Sequence, residues 1–307
     1  MQLELDTTQI ADARTALLGE NSTQLIEFIF RLNLNRSLVG VSEAAVAEAI
    51  RLGWVDTPNR KLTQIGWLVA DAIREYRFWL DRGRRIHGES EYDLLASEKY
   101  QGLSVLELGS GFGCNLLSLS QVKGHFVGLE PVHVYRQLTS IFADREGLPM
   151  PEVVEGTAEA LPFADCDFDV VLCYSSHQYM DIRPALREMA RVLRPGGQLQ
   201  IIGGTLDHVA SGMGMQLLKS PSVGALRRYL LTVGNTLSYE YLNRRLHAPR
   251  GFAATTAPIY PRYRFMRHWI HEVELTPREE LCRRIGGDTC FIADKPAKLK
   301  AVCHSTP

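Results

Sequence analysis

Residues 105–115 have the sequence VLELGSGFGCN, in which an apolar run ends in a loop with glycine at every second position. Gly109, Gly111 and Gly113 would weaken any strand or helix that contained them, because glycine loses the most conformational freedom on folding. Their spacing therefore indicates a loop whose backbone comes close to another group. We expect a buried strand before the loop and a helix after it, so that backbone N–H groups face a ligand.

The residues around this loop separate the common classes of nucleotide site. A P-loop is excluded because no Gly-Lys-Ser/Thr follows the glycines. A dinucleotide site requires the spacing GxGxxG, whereas this chain has GxGxG, with Glu107 two positions before the first glycine. That carboxylate would repel a pyrophosphate and attract a ligand that carries an ammonium group, which favours S-adenosylmethionine over a nicotinamide cofactor. Glu130, 21 residues after Gly109, ends "HFVGLEP", where a carboxylate can accept both ribose hydroxyls of either cofactor.

Beyond residue 102 the chain alternates strands with helices, which is typical of a parallel sheet covered on both faces. Strands are predicted at residues 104–109, 125–130, 151–156, 168–174 and 197–203, and helices at residues 113–122, 133–146 and 182–194. Residues 205–261 break the alternation and are predicted to form a helical cap. A helix, "RFMRHWIHEVEL", and two strands, "REELCRRI" and "TCFIADKP", are predicted to complete the sheet.

Residues 1–88 have a different character. Two helices, "STQLIEFIFRLNL" and "SEAAVAEAIRLG", are predicted to precede a strand–turn–strand, "WVDTPNRKL", and a third helix from Thr63. This order resembles a winged-helix module. Residues 89–101 are predicted to be a linker, and residues 102–307 a second domain that contains the cap.

The composition is that of an ordinary globular chain, with 307 residues, 45% hydrophobic and 22% charged. The start, "MQLELDTTQI", lacks the apolar segment of a signal peptide, and no run approaches the ~20 apolar residues needed to cross a bilayer. Six cysteines without CxxC spacing predict reduced thiols and no metal site. We therefore expect a cytoplasmic protein. Although the net charge is -1, residues 207–307 hold 15 Lys and Arg against 8 Asp and Glu.

The later motifs, "VVEGTAEALPFADCDFDVVLCYSSHQYM" and "ALREMARVLRPGGQLQI", resemble those of class I S-adenosylmethionine-dependent methyltransferases. The resemblance is close over residues 100–204, looser over residues 262–297, and absent over residues 205–261. It implies an α/β fold with a Rossmann-like, seven-stranded methyltransferase sheet. It also implies S-adenosylmethionine as cofactor and S-adenosylhomocysteine as product.

The resemblance assigns cofactor contacts to thirteen positions of this sequence. They are Glu107, Gly109, Ser110, Gly111, Gly113, Glu130, Pro131, Thr157, Ala158, Glu159, Cys173, Tyr174 and Ser175. Glu107 to Gly113 in this list would line the methionine and sugar, Glu130 would hold the ribose, and Pro131 would lie against the adenine. Thr157, Ala158 and Glu159 would form the adenine loop. Cys173, Tyr174 and Ser175 would flank the sulfonium. Because the family commonly has aspartate at the position of Thr157, either Thr157 or Glu159 would accept a hydrogen bond from the adenine amino group.

Five further residues are candidates for handling the methyl acceptor. His177 and Tyr179 follow the fourth strand, at the edge where open α/β sheets bind ligands. His177 would deprotonate the acceptor or, alternatively, orient the loop. In the predicted cap, Arg244, Arg245 and Tyr241 are candidate acceptor-binding residues. The arginines would hold a carboxylate or phosphate, or else lie on a solvated helix face.

The sequence thus predicts an enzyme of the 2.1.1 class that methylates an oxygen or nitrogen of a small-molecule metabolite, as in secondary metabolism. The alternatives are a winged-helix regulator that senses S-adenosylmethionine without catalysis, and an RNA methyltransferase. Only two basic residues occupy the wing "DTPNRK", and "CYSSHQY" lacks the proline turn of nucleic-acid amino-methyltransferases, so we expect no nucleic-acid partner. No membrane partner is expected either. The N-terminal module would wall the pocket and form a homodimer through "FIFRLNL" and "YRFWL".

Overall fold

The structure is a computed structural model that describes residues 4–57, 59–89, 95–246, 258–285 and 288–297. The described helices are α1 (Thr7–Leu18), α2 (Ser22–Asn33), α3 (Glu43–Arg51), α4 (Gln64–Asp81), α5 (Cys114–Leu119), α6 (His133–Glu146), α7 (Ile182–Val192), α8 (Leu206–Lys219), α9 (Val223–Leu242) and α10 (Tyr263–Glu272). The described strands are β1 (Ser104–Leu108), β2 (His125–Leu129), β3 (Glu152–Val154), β4 (Phe168–Tyr174), β5 (Leu193–Gly203), β6 (Thr276–Pro277), β7 (Arg284–Ile285) and β8 (Asp288–Asp294).

The chain forms two compact units. The N-terminal unit comprises residues 1–101 and 110–155, and the C-terminal unit comprises residues 102–109 and 156–307. These units do not follow the predicted boundaries at residues 88 and 101. The difference arises because the N-terminal helices share one hydrophobic core with α5, α6 and the glycine loop, through residues such as Phe112 and Phe142.

The N-terminal helices begin where side chains can cap them. The Thr63 hydroxyl accepts a hydrogen bond from the Gly66 N–H (3.0 Å), which fixes the predicted start of α4. Helix α1 was not predicted, although Asp6 and Gln9 form a reciprocal capping box at its start. The predicted wing is reduced to a single antiparallel bridge between Val55 and Leu62.

Aromatic side chains join the glycine loop to this helical core. The Tyr76 ring of α4 stacks on Phe142 of α6 with centroids 4.6 Å apart, and Phe112 lies 4.8 Å from Phe142. Several apolar residues that suggested a dimer interface, including Phe28 and Trp79, are buried in the same core, whereas Leu32, Leu34 and Leu80 are half-buried and Phe78 is exposed. Most of these apolar residues therefore pack within the N-terminal unit and do not support a dimer interface. The homodimer stays a prediction.

The central sheet has the predicted Rossmann-like architecture. Its strand order is β3-β2-β1-β4-β5-β8-β6, with the short β7 beside β8. In the N-terminal unit β2 pairs with β3 in parallel. In the C-terminal unit β4 pairs in parallel with β1 and β5, whereas β8 runs antiparallel to β5. The predicted strand "REELCRRI" is confirmed only at its end, as β7. Its first part is a turn in which the Leu281 N–H donates to the Arg278 carbonyl (2.9 Å).

The predicted cap contains the helical pair α8 and α9, and residues 247–257 of it lie outside the described residues. Cys114, Cys173, Cys282 and Cys290 form no disulfide, whereas Cys166 takes part in one, so the prediction of reduced thiols is wrong for Cys166. Over the described ranges no helix is long and apolar enough to cross a membrane. The same ranges contain no group of three or more His, Cys, Asp or Glu side chains arranged to hold a metal.

Candidate active site

The glycine loop follows β1 without a break. Gly109, Gly111 and Gly113 have φ values of +66°, +58° and +86°, all in the left-handed region that side chains other than hydrogen disfavour. Gly113 is also the residue from which α5 begins. Each glycine of the GxGxG motif is thus required by the path of the backbone.

Gly109 also permits a close approach within the C-terminal unit. A Cβ at this position would lie 2.5 Å from the Cβ of Ser176, which is closer than real Cβ atoms approach. The Ser176 hydroxyl donates to the Leu108 carbonyl (2.7 Å) and so fixes the end of β1. Sequence reasoning missed Ser176, because no local pattern pairs it with a loop some 68 positions earlier.

Glu130 fixes the middle of the loop within the N-terminal unit. Its Oε2 accepts the Gly111 N–H and its Oε1 accepts the Val132 N–H, both at 2.8 Å. Burial raises the pKa of the Glu130 carboxyl to about 7, and the two N–H groups partly offset this rise. Arg136, which sequence reasoning missed, donates to the Glu130 carbonyl (2.6 Å) and pairs with Glu155.

The part of the candidate site that belongs to the N-terminal unit has features that fit a nucleoside. Each carboxylate oxygen has two lone pairs, so each Glu130 oxygen keeps one acceptor position for a ribose hydroxyl. The Ser110 hydroxyl is buried and, within the described ranges, has no hydrogen-bond partner. A Cβ at Gly111 would meet no atom within 4 Å, which leaves open space beside the loop. These are the features that a polar ligand with hydroxyl groups requires.

The end of β4 is tightly packed. Cys173 is fully buried, and burial raises the pKa of its thiol to about 12, so the thiol is protonated near neutral pH. The Tyr174 hydroxyl donates to Gln200 Oε1 (2.7 Å). Ser175 is exposed and adopts a φ of +52°, a conformation that non-glycine residues rarely hold unless their surroundings impose it. Its N–H donates to the Ile202 carbonyl (2.7 Å).

His177 is buried and faces backbone. Its Nε2 lies 3.2 Å from the Gly204 carbonyl, which can only accept, so Nε2 carries the proton and Nδ1 has the lone pair. Nδ1 has no hydrogen-bond partner among the described residues, and a Cβ at Gly203 would lie 2.8 Å from it. Burial lowers the pKa of His177 to about 4. This geometry favours the loop-orienting alternative over the general base.

The lowered pKa of His177 gives a pH-dependent stability. The pKa of His177 is about 4 in the folded protein, against its ordinary value of 6.5, so the unfolded chain binds more protons between these values and stability falls as the pH decreases through them. We expect His177→Gln, whose amide can still donate to Gly204, to remove up to about 3 kcal/mol of this acid sensitivity. Urea unfolding of both proteins from neutral pH to about pH 4 measures the difference. Parallel curves would contradict the assignment of a buried, neutral His177.

The predicted adenine loop is ordered by its own contacts. Thr157 is exposed and bridges to Ala160, while Ala158 is buried. Glu159 Oε1 accepts the Asp181 N–H (2.6 Å) at the start of α7. Pro131, in the N-terminal unit, is half-buried after β2. The Thr157 side chain is therefore the more accessible of the two adenine-binding alternatives, and both assignments stay predictions.

The predicted acceptor residues do not converge on one another. Arg245 donates to the Met180 carbonyl and lies over the Tyr239 ring. The Tyr241 hydroxyl accepts from Arg262 (2.9 Å) and Arg264 (2.7 Å). Arg244 and Tyr179 are exposed.

Gln178 and Tyr260, which were not among the predicted site residues, lie in or near the loop after β4. Gln178 Nε2 donates to the Ser175 carbonyl (2.8 Å), and its Oε1 is buried with no hydrogen-bond partner over the described ranges. The neighbouring Ile259 N–H donates to the Gln178 carbonyl (3.0 Å). Tyr260 is next in the chain, and burial raises the pKa of its hydroxyl, with the nearby Tyr179 adding to the rise. The unmatched amide oxygen of Gln178 is the kind of acceptor that a bound hydroxyl or amine satisfies.

Residues 106–201, which include β1, the glycine loop, Glu130 and the end of β4, match a family model described as a methyltransferase domain. This part of the chain is a class I methyltransferase domain. The uncharacterized methyltransferase YcgJ of Bacillus subtilis is 36% identical over 107 residues, which are 34% of this chain and 41% of that protein. The phthiotriol/phenolphthiotriol dimycocerosates methyltransferase 1 of Mycobacterium ulcerans is 35% identical over 122 residues, 39% of this chain and 44% of that protein.

The chain spans less than half the length of these two relatives. Among solved structures, a chain from a complex containing the Haloferax volcanii Trm112 methyltransferase activator is similar with a TM-score of 0.50. It is 17% identical, and the similarity covers 75% of this chain and 95% of that one. At this identity the likeness concerns the fold, which is the Rossmann-like methyltransferase fold.

Proposed function

We propose that this protein binds S-adenosylmethionine and catalyses transfer of its methyl group to an oxygen or nitrogen of a small-molecule metabolite. The observation that carries the proposal is the GxGxG loop of three left-handed glycines, whose central N–H is held by the buried Glu130 carboxylate. The match of residues 106–201 to a methyltransferase domain supports it.

The thirteen cofactor-binding positions keep the roles that the family resemblance gave them. Glu130 would hold the ribose, and the buried Glu107 carboxylate would attract the ammonium group of the methionine portion. When bound, S-adenosylmethionine supplies an electrophilic methyl group on a sulfonium. The contribution of this chain is then to position the acceptor for in-line attack and to exclude water. The fully buried Cys173 at the end of β4 suits the exclusion of water, because its protonated thiol adds no charge.

Within this proposal His177 is a positioning residue. Its hydrogen bond to Gly204 and its contact with Gly203 hold the loop that carries Gln178 and Tyr179. Gln178 Oε1 would accept a hydrogen bond from the acceptor. The acceptor atom would then lose its proton to solvent or to another group after transfer, as a neutral amine can.

A small-molecule acceptor is supported by two observations. The Mycobacterium ulcerans relative is named for phthiotriol and phenolphthiotriol dimycocerosates, which are neither nucleic acids nor proteins. In this chain the exposed wing region pairs Arg60 with Glu43, so its basic charge is partly neutralised. Incubating the protein with methyl-labelled S-adenosylmethionine and a panel of small alcohols, phenols and amines tests the proposal. Label in a small molecule is expected, whereas label found only in added RNA would contradict it.

The raised pKa of Glu130 predicts a pH dependence of cofactor binding. Protonation below a pKa of about 7 replaces an acceptor oxygen by a donor, so the affinity for S-adenosylhomocysteine should fall as the pH decreases below that value. The loss should approach about tenfold per pH unit, because one proton must be released for binding. Isothermal titration calorimetry measures it. Glu130→Gln should bind more weakly at neutral pH and show a flat profile, and a wild-type affinity that does not change below pH 7 would contradict this role.

A further inference from the structure

The hairpin tip, which we define as residues 210–231, exposes apolar side chains on both of its helices. It contains most of α8, the connecting turn and the first part of α9, and none of its residues is buried. Its large exposed apolar residues are Met215, Leu218, Val223, Leu226 and Leu230. Leu218 and Val223, on either side of the turn, are 84% and 85% exposed. Clustered exposure of this kind marks a surface that binds something.

The base of the hairpin is attached through buried polar side chains. In the second part of α9 the buried residues include polar side chains that are fully engaged. The Thr236 hydroxyl accepts the Tyr260 N–H (3.1 Å), and the buried Glu240 carboxylate pairs with Arg262 at 2.6 Å. A helix on the surface of a globular protein ordinarily buries apolar residues and exposes polar ones. Here polar contacts attach the base. Five large apolar residues are exposed at the tip, and Tyr241 and Leu242 are exposed at the other end of α9.

The charge of the tip indicates which partner it suits. Lys219, Arg227 and Arg228 are exposed, and the 210–231 segment contains no aspartate or glutamate. A twofold contact between the tips of two copies would bring these like charges together. A surface of anionic lipid headgroups would instead pair with the cations while the apolar side chains enter the boundary of the acyl chains.

We propose that the hairpin tip docks this protein on membrane surfaces that contain anionic lipids, with Leu218 and Val223 entering the bilayer interface and Arg227 and Arg228 contacting lipid phosphates. This surface is independent of the methyltransferase chemistry. The sequence predicted no membrane partner, because no run approaches the ~20 apolar residues needed to cross a bilayer, but docking on a membrane surface requires no such run. The exposure of apolar residues at the tip is what changes the conclusion.

Co-sedimentation of the full chain with vesicles tests this docking. Vesicles of phosphatidylcholine alone are compared with vesicles of phosphatidylcholine mixed with phosphatidylglycerol. The wild type should bind the anionic vesicles preferentially and be released by salt. The double variant Leu218→Ser/Val223→Ser should bind at least about tenfold more weakly, because two apolar side chains no longer leave water. Arg227→Glu/Arg228→Glu should also lose about tenfold on the anionic vesicles.

Val39→Ser is the matched control, because Val39 is likewise 85% exposed but lies in the N-terminal unit. It should bind as the wild type does. The substituted positions are exposed, and unchanged thermal unfolding verifies that each variant is folded. Equal binding of the wild type and the Leu218→Ser/Val223→Ser variant would overturn the proposal, and so would an absence of wild-type binding to anionic vesicles. A dimer in sedimentation velocity that only this double variant dissociates, without vesicle binding, would assign the tip to a second copy of the chain instead.

Discussion

Replacing Gly109 with alanine should reduce methyl transfer by about 100-fold, because misplacing binding groups by about 1 Å is sufficient for a loss of this size. The new Cβ would lie 2.5 Å from the Ser176 Cβ and 2.8 Å from its hydroxyl. Either the loop or Ser176 must move, and the hydrogen bond from Ser176 to the Leu108 carbonyl would be lost or lengthened. With the left-handed φ added, the free energy of unfolding should fall by about 2–3 kcal/mol.

Gly111→Ala separates the clash from the strain. Gly111 has a similar φ of +58°, but a Cβ there would meet nothing within 4 Å. Without ligand, this variant should lose only the cost of the left-handed conformation, about 1–2 kcal/mol. Adding Ser176→Gly to Gly109→Ala should recover part of the lost stability by removing the clash. Urea unfolding of the wild type, the two alanine variants and the Gly109→Ala/Ser176→Gly double variant measures these differences. Equal losses of unfolding free energy for the two alanine variants would refute the close approach at Gly109.

Replacing Gly66 with alanine should destabilise the N-terminal unit by about 3 kcal/mol, the upper range for overpacking a close contact. A Cβ on Gly66 would lie 1.8 Å from the Trp54 carbonyl oxygen and 2.7 Å from its carbonyl carbon. Backbone cannot rotate away as a side chain can. The first turn of α4 would have to separate from residues 53–55, which Thr63 holds through a hydrogen bond to the Gly53 carbonyl (2.7 Å).

Gly212→Ala is the comparison for this variant, because Gly212 is also helical but a Cβ there meets nothing within 4 Å. That variant should gain about 0.5–1 kcal/mol, the ordinary preference for alanine over glycine in a helix interior. Denaturant unfolding, followed by circular dichroism, should therefore give changes of opposite sign for the same chemical substitution. A stabilised Gly66→Ala variant would show that α4 does not approach Trp54 so closely.

The sequence was sufficient where the pattern is local and strong. Helix α6 and strand β4 have the predicted bounds, because α6 has a clear helical period and β4 is an apolar run, interrupted only by Asp169, between turn residues. Helix α1 was missed because it buries only Ala13 and Leu17, too few apolar positions to form a recognisable stripe. The prediction of an N-terminal domain separated by a linker rested on the charged composition of residues 89–101, which cannot show that Phe112 packs among distant helices.

For the candidate site, the sequence singled out the glycine loop and Glu130 but did not indicate their partners. The GxGxG spacing and Glu130 were visible, since glycine and a buried carboxylate have few interpretations after an apolar strand. That Glu130 holds the Gly111 N–H depends on tertiary structure. The same holds for Ser176, whose role is a contact with Gly109 across two loops. For His177, residue type alone left base and loop-orienting roles open, and burial against Gly203 and Gly204 favours the second.

The central claim is that the glycine loop binds S-adenosylmethionine. Thermal unfolding of the protein with S-adenosylmethionine, S-adenosylhomocysteine or NAD in parallel tests it most directly, because a ligand at 100 times its dissociation constant stabilises the native state by about 2.7 kcal/mol. We expect a higher unfolding temperature with both adenosyl ligands and no change with NAD. A rise with NAD alone, or no rise with any of the three, would contradict it.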